Sequence, residues 1–163
     1  MRKLRQVPPM DYSLCRRTVT LYHRLPGPEF SCRRIVFAGA FLDLTENRAV
    51  REGGTQLENS FLLVLPCGWQ DRLRWLRPED YDRAEERQQR EHFTLAPGDR
   101  VMEGEGPELT AADWTALPAK GGCGVVKETA ERSWMGRLCH IEAASGQSLG
   151  RSGLPHPRKG TMR

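Results

Sequence analysis

Residues 92–106, HFTLAPGDRVMEGEG, constrain the fold more than any other stretch of the chain. Phe93 and Leu95 alternate with a polar and a small residue, which is the two-residue period of a half-buried strand. The Pro-Gly-Asp triplet that follows has the fixed φ, the permissive glycine and the backbone-bonding aspartate of a turn. Val101 then begins a second short strand. The stretch therefore predicts a tight β-hairpin in the middle of an antiparallel β domain.

The same alternation recurs on both sides of this stretch. Residues 16–24 alternate as a strand, and residues 33–42 form another around Gly39, which indicates a bulge or a sharp bend. Residues 60–65, SFLLVL, are the most apolar and predict the centre of the core. The side chains that the alternation predicts to be buried are Val19, Leu21, Ile35, Phe37, Phe61, Leu63, Phe93, Leu95, Val101, Val126 and Ile141. With one or two short helices, the pattern predicts a mainly β fold, a small antiparallel β-barrel or sandwich with long loops.

Shorter signals place the turns and one helix. Residues 109–114 predict one or two helical turns, with Thr110 as the N-cap and Asp113 in the first turn. Residues 44–59 are polar, with a Gly-Gly pair near their centre, and predict a loop or the tip of a long hairpin. Residues 133–136 predict a turn before the final strand.

Residues 69–91 form a polar insertion between strands. Pro78 suits the first turn of a helix over about 78–90. Such a helix would have Tyr81 and Ala84 as its only apolar residues, too few for a buried core helix. Two interpretations stay open: a solvated insertion, or an arm that orders against a neighbouring subunit.

Charge is divided unevenly along the chain. Residues 1–24 carry a net +5 and residues 145–163 a net +4, whereas the residues between them carry −5. An acidic body with basic ends suits contact with acidic partner surfaces or with nucleic acid; the alternative is that the ends stay solvated. We divide the chain into an N-terminal arm, 1–15, a β-barrel domain, 16–144, that contains the insertion, and a flexible basic tail from 145.

Several classes of function are disfavoured. The five cysteines are odd in number and lack CxxC spacing, which favours a reducing compartment over a disulfide framework or a zinc site. The basic start lacks the apolar run of a signal peptide, and no apolar run is long enough to span a bilayer. Phosphate-binding, dinucleotide-binding and serine-hydrolase motifs are missing, so the sequence predicts no enzyme, no cofactor and no metal.

Six stretches of the chain stand in a recognisable order: VTLYHR at 19–24, RRIVFAGAFLD at 33–43, ENSFLLVLP at 58–66, RPEDY at 77–81, FTLAPGDRVMEGEGPE at 93–108 and GRLCHIEAA at 136–144. Through the order and spacing of these stretches, the chain resembles small head–tail connector proteins of tailed bacteriophages and prophages. The long basic tail departs from the short C-terminus that is usual in such proteins.

The resemblance implies a structural virion protein of the phage neck, assembled in the cytoplasm of the bacterial host. Its partners would be itself, as a ring of six or twelve copies, a portal or adaptor ring, and tail-terminator or tail-tube proteins. The ring would close the DNA-filled head, with packaged DNA passing through it or retained by it, and would dock the tail; no membrane is implied. The alternatives are a tail-terminator or tail-completion protein, and a small nucleic-acid-binding module that uses the basic termini.

The long polar segments are the expected contact regions, because large aromatic and arginine side chains anchor interfaces. The predicted interface residues are Trp69, Arg72, Trp75, Tyr81 and Arg87. Glu103, Glu105 and Glu108 form a candidate acidic channel loop, which would keep DNA from sticking because like charges repel. We also expect the fold of the monomer to survive deletion of residues 70–91.

Overall fold

The computed structural model of the chain describes residues 11–67 and 72–145, and for 47–51 and 54–58 it describes the backbone. The expected basic tail beyond residue 145 and most of the N-terminal arm lie outside these ranges. The strands of the described part are β1 (Arg17–Arg24), β2 (Cys32–Arg51), β3 (Gly54–Pro66), β4 (Arg74–Trp75), β5 (His92–Phe93), β6 (Arg100–Glu103), β7 (Cys123–Val125), β8 (Glu128–Trp134) and β9 (Arg137–Ala144). The helices are α1 (Pro78–Arg83), α2 (Glu86–Glu91) and α3 (Ala111–Ala116), and a 3-10 turn spans Leu117–Ala119.

Seven of these strands form one antiparallel sheet in the order β7-β6-β1-β2-β3-β9-β8. The outermost strands, β7 and β8, are separated along the chain by only Val126 and Lys127. Val126 exchanges backbone hydrogen bonds of 2.8 and 2.9 Å with Gly98 and Asp99, and the Lys127 amide donates to the Ala144 carbonyl at 2.9 Å. Because this two-residue link joins the two outermost strands, the two edges of the sheet lie close together and the sheet curls into a half-barrel.

A bulge at Gly39 lets β2 change partners. Arg17 of β1 pairs with Ala40. Two residues later Val19 pairs with Phe37, so β2 holds one residue more than β1 over this interval. Gly39 has a φ of 79°, the left-handed region that favours glycine. The predicted bulge is confirmed, and beyond it β2 leaves β1 and pairs with β3.

The core lies inside the curl, and the predicted fold class is confirmed. Every side chain predicted to be buried exposes 8% or less of its surface: Val19, Leu21, Ile35, Phe37, Phe61, Leu63, Phe93, Leu95, Val101, Val126 and Ile141. The rings of Phe37 and Phe93 meet edge to face with centroids 5.1 Å apart. Burial of this apolar surface is the main favourable contribution to folding.

The predicted hairpin over residues 92–106 is wrong, although its turn is present. β5 pairs in parallel with β4, whereas β6 pairs with β1 and β7. Phe93, Thr94 and Leu95 are all fully buried, so this segment does not have the half-exposed alternation that a surface hairpin requires. The side chain of Asp99 bonds to His23 and to the amide of Arg24 in β1, and β6 continues beside β1 instead of β5.

The insertion over residues 69–91 packs on the half-barrel where it is described. It contains two short helices, α1 and α2, in place of the single predicted helix. Tyr81 is 1% exposed and belongs to the main core cluster, with Leu73 packed against it. The solvated interpretation is therefore wrong for α1, and deletion of residues 70–91 would open the core instead of sparing it.

The predicted helix start at Thr110 is confirmed, with a reciprocal capping box. The Asp113 amide donates to Oγ1 of Thr110 at 3.2 Å, and the Thr110 amide donates to Oδ2 of Asp113 at 2.9 Å. We expect Thr110→Ala to lower the free energy of unfolding by about 1 kcal/mol, because it exposes unsatisfied amides at the start of α3. Urea denaturation measures the change. Thr115→Ala on the same helix is the control, with an effect within about 0.5 kcal/mol; equal losses would contradict the capping role.

Gly124 of β7 lies directly against the ring of Phe61. A Cβ at this position would stand 2.5 Å from Cδ1 of that ring. We expect Gly124→Ala to lower the free energy of unfolding by about 1–3 kcal/mol through overpacking. Phe61→Leu alone also lowers the free energy of unfolding, but the double variant should lose less than the sum of the two single losses, because the smaller side chain makes room for the methyl group. If the two losses simply add in urea denaturation, the ring is not what excludes the methyl group.

Candidate interaction surfaces

The predicted interface arginines lie in different environments. Arg72 is half-buried, and its Nη1 donates a hydrogen bond of 2.7 Å to the Gly39 carbonyl at the bulge. Arg87 is exposed on α2. Trp69 lies outside the described residues. Arg72 therefore stabilises the bend of β2, and Arg87 is accessible to a partner.

The predicted aromatic anchors are largely used within the chain. Trp75 is half-buried, with its ring centroid 5.4 Å from that of Phe93, and its Nε1 donates to Glu131 at 2.9 Å. Arg77 also donates to Glu131, and these hydrogen bonds hold the pKa of that carboxyl below its usual range. Tyr81 is inside the core. Tyr81, predicted as an interface residue, is instead used in the core of this chain.

The candidate acidic channel loop is fastened to the barrel. Glu103, Glu105 and Glu108 are all exposed. The Glu103 carboxylate pairs with Arg17, and Oε1 of Glu105 lies 3.2 Å from Nη2 of Arg34. Arginines therefore neutralise part of the loop's charge, and its place along a DNA channel stays a prediction.

The outer part of the β2–β3 hairpin is a two-stranded ribbon. β1 pairs with β2 only as far as Ala40, and β9 pairs with β3 only from Leu62. Residues 47–51 and 54–58 pair with each other, over roughly 16 Å at the usual rise per residue. We call residues 47–58 the ribbon; no other strand in the described part of the chain borders it. Of the two alternatives for residues 44–59, a loop or the tip of a long hairpin, the structure shows the hairpin.

Two hydrogen-bonded contacts hold the base of the ribbon. Oε1 of Glu46 accepts from the Gly122 amide at 2.8 Å. Nδ2 of Asn59 donates to the carbonyls of Cys123, at 2.7 Å, and Lys120, at 3.1 Å. Two-stranded hairpins alone are marginally stable in water, and both edges of this anchored ribbon are unpaired within the part of the chain that the structure describes. The ribbon is therefore suited to pair with another chain.

A buried ionic cluster surrounds His23 of β1, and no pattern in the sequence predicts it. His23 is 3% exposed, with Nδ1 2.6 Å from Oδ2 of Asp99 and Nε2 2.8 Å from Oδ1 of Asp82. We call these three residues the His23 cluster. Asp99 also accepts hydrogen bonds from the amides of Ala96 and Arg24. The cluster ties β1, α1 and the turn before β6 together.

The two carboxylates of the His23 cluster favour the charged form of His23. Burial alone would lower the pKa of His23, but the hydrogen bonds and charges of Asp99 and Asp82 outweigh it and raise the pKa above 6.5. An imidazolium donates to both carboxylates at once, so the charged form fits the geometry. Both ring nitrogens are engaged and buried, which leaves no atom to act on a substrate. The cluster is a structural clamp.

Metal sites, thiols and membrane-spanning helices can be assessed in the described residues. In residues 11–67 and 72–145 no group of three His, Cys, Asp or Glu side chains is arranged to hold a metal ion. All five cysteines are free thiols, and burial raises the pKa of the Cys67 thiol to about 12, which disfavours the reactive thiolate. No helix in these ranges is long and apolar enough to cross a membrane.

Comparison with known proteins gives one match. A model described as "Family of unknown function (DUF6751)" matches residues 14–147, which include every described strand and helix. No curated protein and no solved structure matches the chain. The geometry of the chain is therefore the basis for any statement about its role.

Proposed function

We propose that this chain, which belongs to the DUF6751 family of unknown function, is a structural protein of the neck of a tailed bacteriophage. Copies of it would form a ring between portal and tail that closes the DNA-filled head and docks the tail. The sequence resemblance suggests the setting. The observation that carries the proposal is the ribbon, which continues the longest hairpin of the sheet beyond its neighbours and has no strand of the described residues along either edge.

The ribbon gives a physical route to a ring. Unpaired strand edges offer backbone donors and acceptors to another chain, and strand addition is a common way to dock proteins. If the ribbon of each copy contacts the next copy at a different surface, the contact is heterologous and closes into a ring when the rotation permits. A ring of six or twelve copies has the cyclic symmetry that such closing heterologous contacts produce.

The rest of the chain suits a rigid ring component. The half-barrel has a continuous core, the insertion is clamped to it through the His23 cluster, and the described residues form no metal site. Exposed carboxylates at Glu105 and Glu108 would face packaged DNA in the arrangement we propose, and they would repel its phosphates.

The proposal is tested in the virion. Cryo-electron microscopy of particles from the source genome should show a ring of this fold at the neck, and particles that lack the protein should be filled heads without tails. Genes for a portal and a major capsid protein should lie beside its gene. Normal tailed particles without the protein, or labelling away from the neck, would refute the proposal.

A further inference from the structure

A cleft of about 290 Å³ lies between the first half of β2 and the insertion that contains α1 and α2. One side has an apolar wall that includes the buried Ile35 and Tyr81 and the half-buried Leu73, and Leu73 is the part of these three that a ligand reaches. Arg33 and Arg90 line the cleft with their charges, and Arg34 also lines it, although its guanidinium bonds to Glu105 and the Gly106 carbonyl. None of its lining residues in the described part of the chain is a carboxylate. The cleft therefore combines apolar surface with positive charge, in a volume that suits one or two side chains.

Arg33 is held in position for a partner. Its Nε and Nη2 donate to Oε1 of Gln89 at 3.0 and 2.7 Å. Gln89 is buried and its Nε2 donates to the Tyr81 carbonyl at 2.7 Å, so α1 and α2 together fix the amide. A guanidinium oriented in this way loses little freedom when it binds, which favours affinity.

Glu86 marks where a carboxylate fits at the mouth of the cleft. Its Oε1 lies 2.8 Å from Nη2 of Arg90 and 3.9 Å from Nη1 of Arg33. The Glu86 side chain is 61% exposed, so it can move aside at little cost. A second carboxylate could then take the place between the two guanidinium groups with better geometry.

We propose that this cleft binds an acidic side chain, with an apolar neighbour, from a segment of another protein. The carboxylate lies between Arg33 and Arg90, where charge-assisted hydrogen bonds are strong, and the apolar neighbour packs on the half-buried Leu73. Nucleic acid fits less well, because its backbone has no branched apolar group to cover that wall. This site does not depend on the proposed ring, and it can be tested on the isolated protein.

The test uses a fluorescein-labelled peptide, GLEELG, and its neutral match, GLQQLG, in fluorescence anisotropy with the full chain. We expect GLQQLG to bind about tenfold more weakly, since it loses charge-assisted hydrogen bonds. Arg90→Gln should weaken GLEELG binding by about the same factor. Glu86→Gln should strengthen it severalfold by removing the competing carboxylate.

Arg87→Gln is the matched control, because Arg87 is exposed on the same helix but does not line the cleft. We expect it to leave binding within about twofold, and circular dichroism should show that all three variants fold. Absence of GLEELG binding, equal binding of both peptides, or a loss as large in Arg87→Gln would overturn the proposal. Tighter binding of a labelled 16-base-pair DNA duplex that is lost in Arg90→Gln would assign the cleft to nucleic acid instead.

Discussion

Replacement of His23 by Leu is expected to lower the free energy of unfolding by about 3–5 kcal/mol, the usual cost of removing one partner from a buried ion pair. Asp99 would keep its charge in a site where its side chain is only 5% exposed, and Asp82 would lose its contact with β1. Urea denaturation followed by circular dichroism measures the loss. Recovery of stability when Asp82→Asn and Asp99→Asn are added would show that uncompensated charge is the cause.

His92→Gln is the control for this prediction. His92 is half-buried, and its Nδ1 donates to the Gln88 carbonyl at 2.7 Å; no carboxylate among the described residues is paired with it. We expect a change within about 1 kcal/mol, the net value of one ordinary hydrogen bond. A loss in His92→Gln that matches the loss in His23→Leu would mean that the cluster has no special role.

The pH dependence of stability has a defined sign. Because folding raises the pKa of His23 above 6.5, the cluster contributes fully below pH 6.5, and its contribution is lost as the pH rises through the folded-state pKa. The neutral ring donates to only one carboxylate and turns a lone pair toward the other. Unfolding free energies measured from pH 6 to pH 10 should therefore fall more in the wild type than in His23→Leu. Parallel curves would exclude the cluster as the source.

Shortening the ribbon is expected to abolish incorporation into particles while the half-barrel stays folded. Residues 48–57 are replaced by Asn-Gly, which forms a tight hairpin turn between the paired residues Asn47 and Glu58. The contacts of Glu46 and Asn59 at the base remain. Circular dichroism should show an unchanged fold, and complementation of a phage that lacks the gene should yield filled heads without tails.

Glu52→Asn is the control for the ribbon, since it keeps the full length and changes one exposed residue at the tip. We expect it to enter virions normally. If the shortened chain also entered infectious virions at normal levels, the ribbon would not be an assembly element, and the proposed function would lose its main support. Failure of both variants to fold would instead contradict the independence of the half-barrel from the ribbon.

Features that depend on neighbouring residues could be predicted from the sequence. The two-residue period locates the core because it reflects the geometry of each strand alone. The capping box at Thr110 and the bulge at Gly39 are also local. Each of these features needs only a few consecutive residues, and each is present in the structure.

Features that join distant parts of the chain could not be predicted in this way. Asp82 and Asp99 lie 59 and 76 positions from His23, and no periodic pattern links them. After the Pro-Gly-Asp turn, β6 pairs with β1 and β7 and does not pair with β5. Asp99 bonds to β1, and β6 gains hydrogen-bonding partners on both of its edges. Tyr81 looked like a lone aromatic on a polar helix, and only the packing of α1 on the half-barrel shows that it belongs to the core.

The short link at Val126 and Lys127 has a consequence for biosynthesis. As the chain leaves the ribosome, β1, β2 and β3 emerge first as a meander with an open edge on each side. One edge is covered only when β6 appears, and the other only when β9 follows, near the end of the described chain. Until β6 and β9 cover them, the edges of β1 and β3 can each pair with other nascent chains, as unpaired edges in incomplete folds do. Translation that stops before β9 therefore leaves an adhesive fragment.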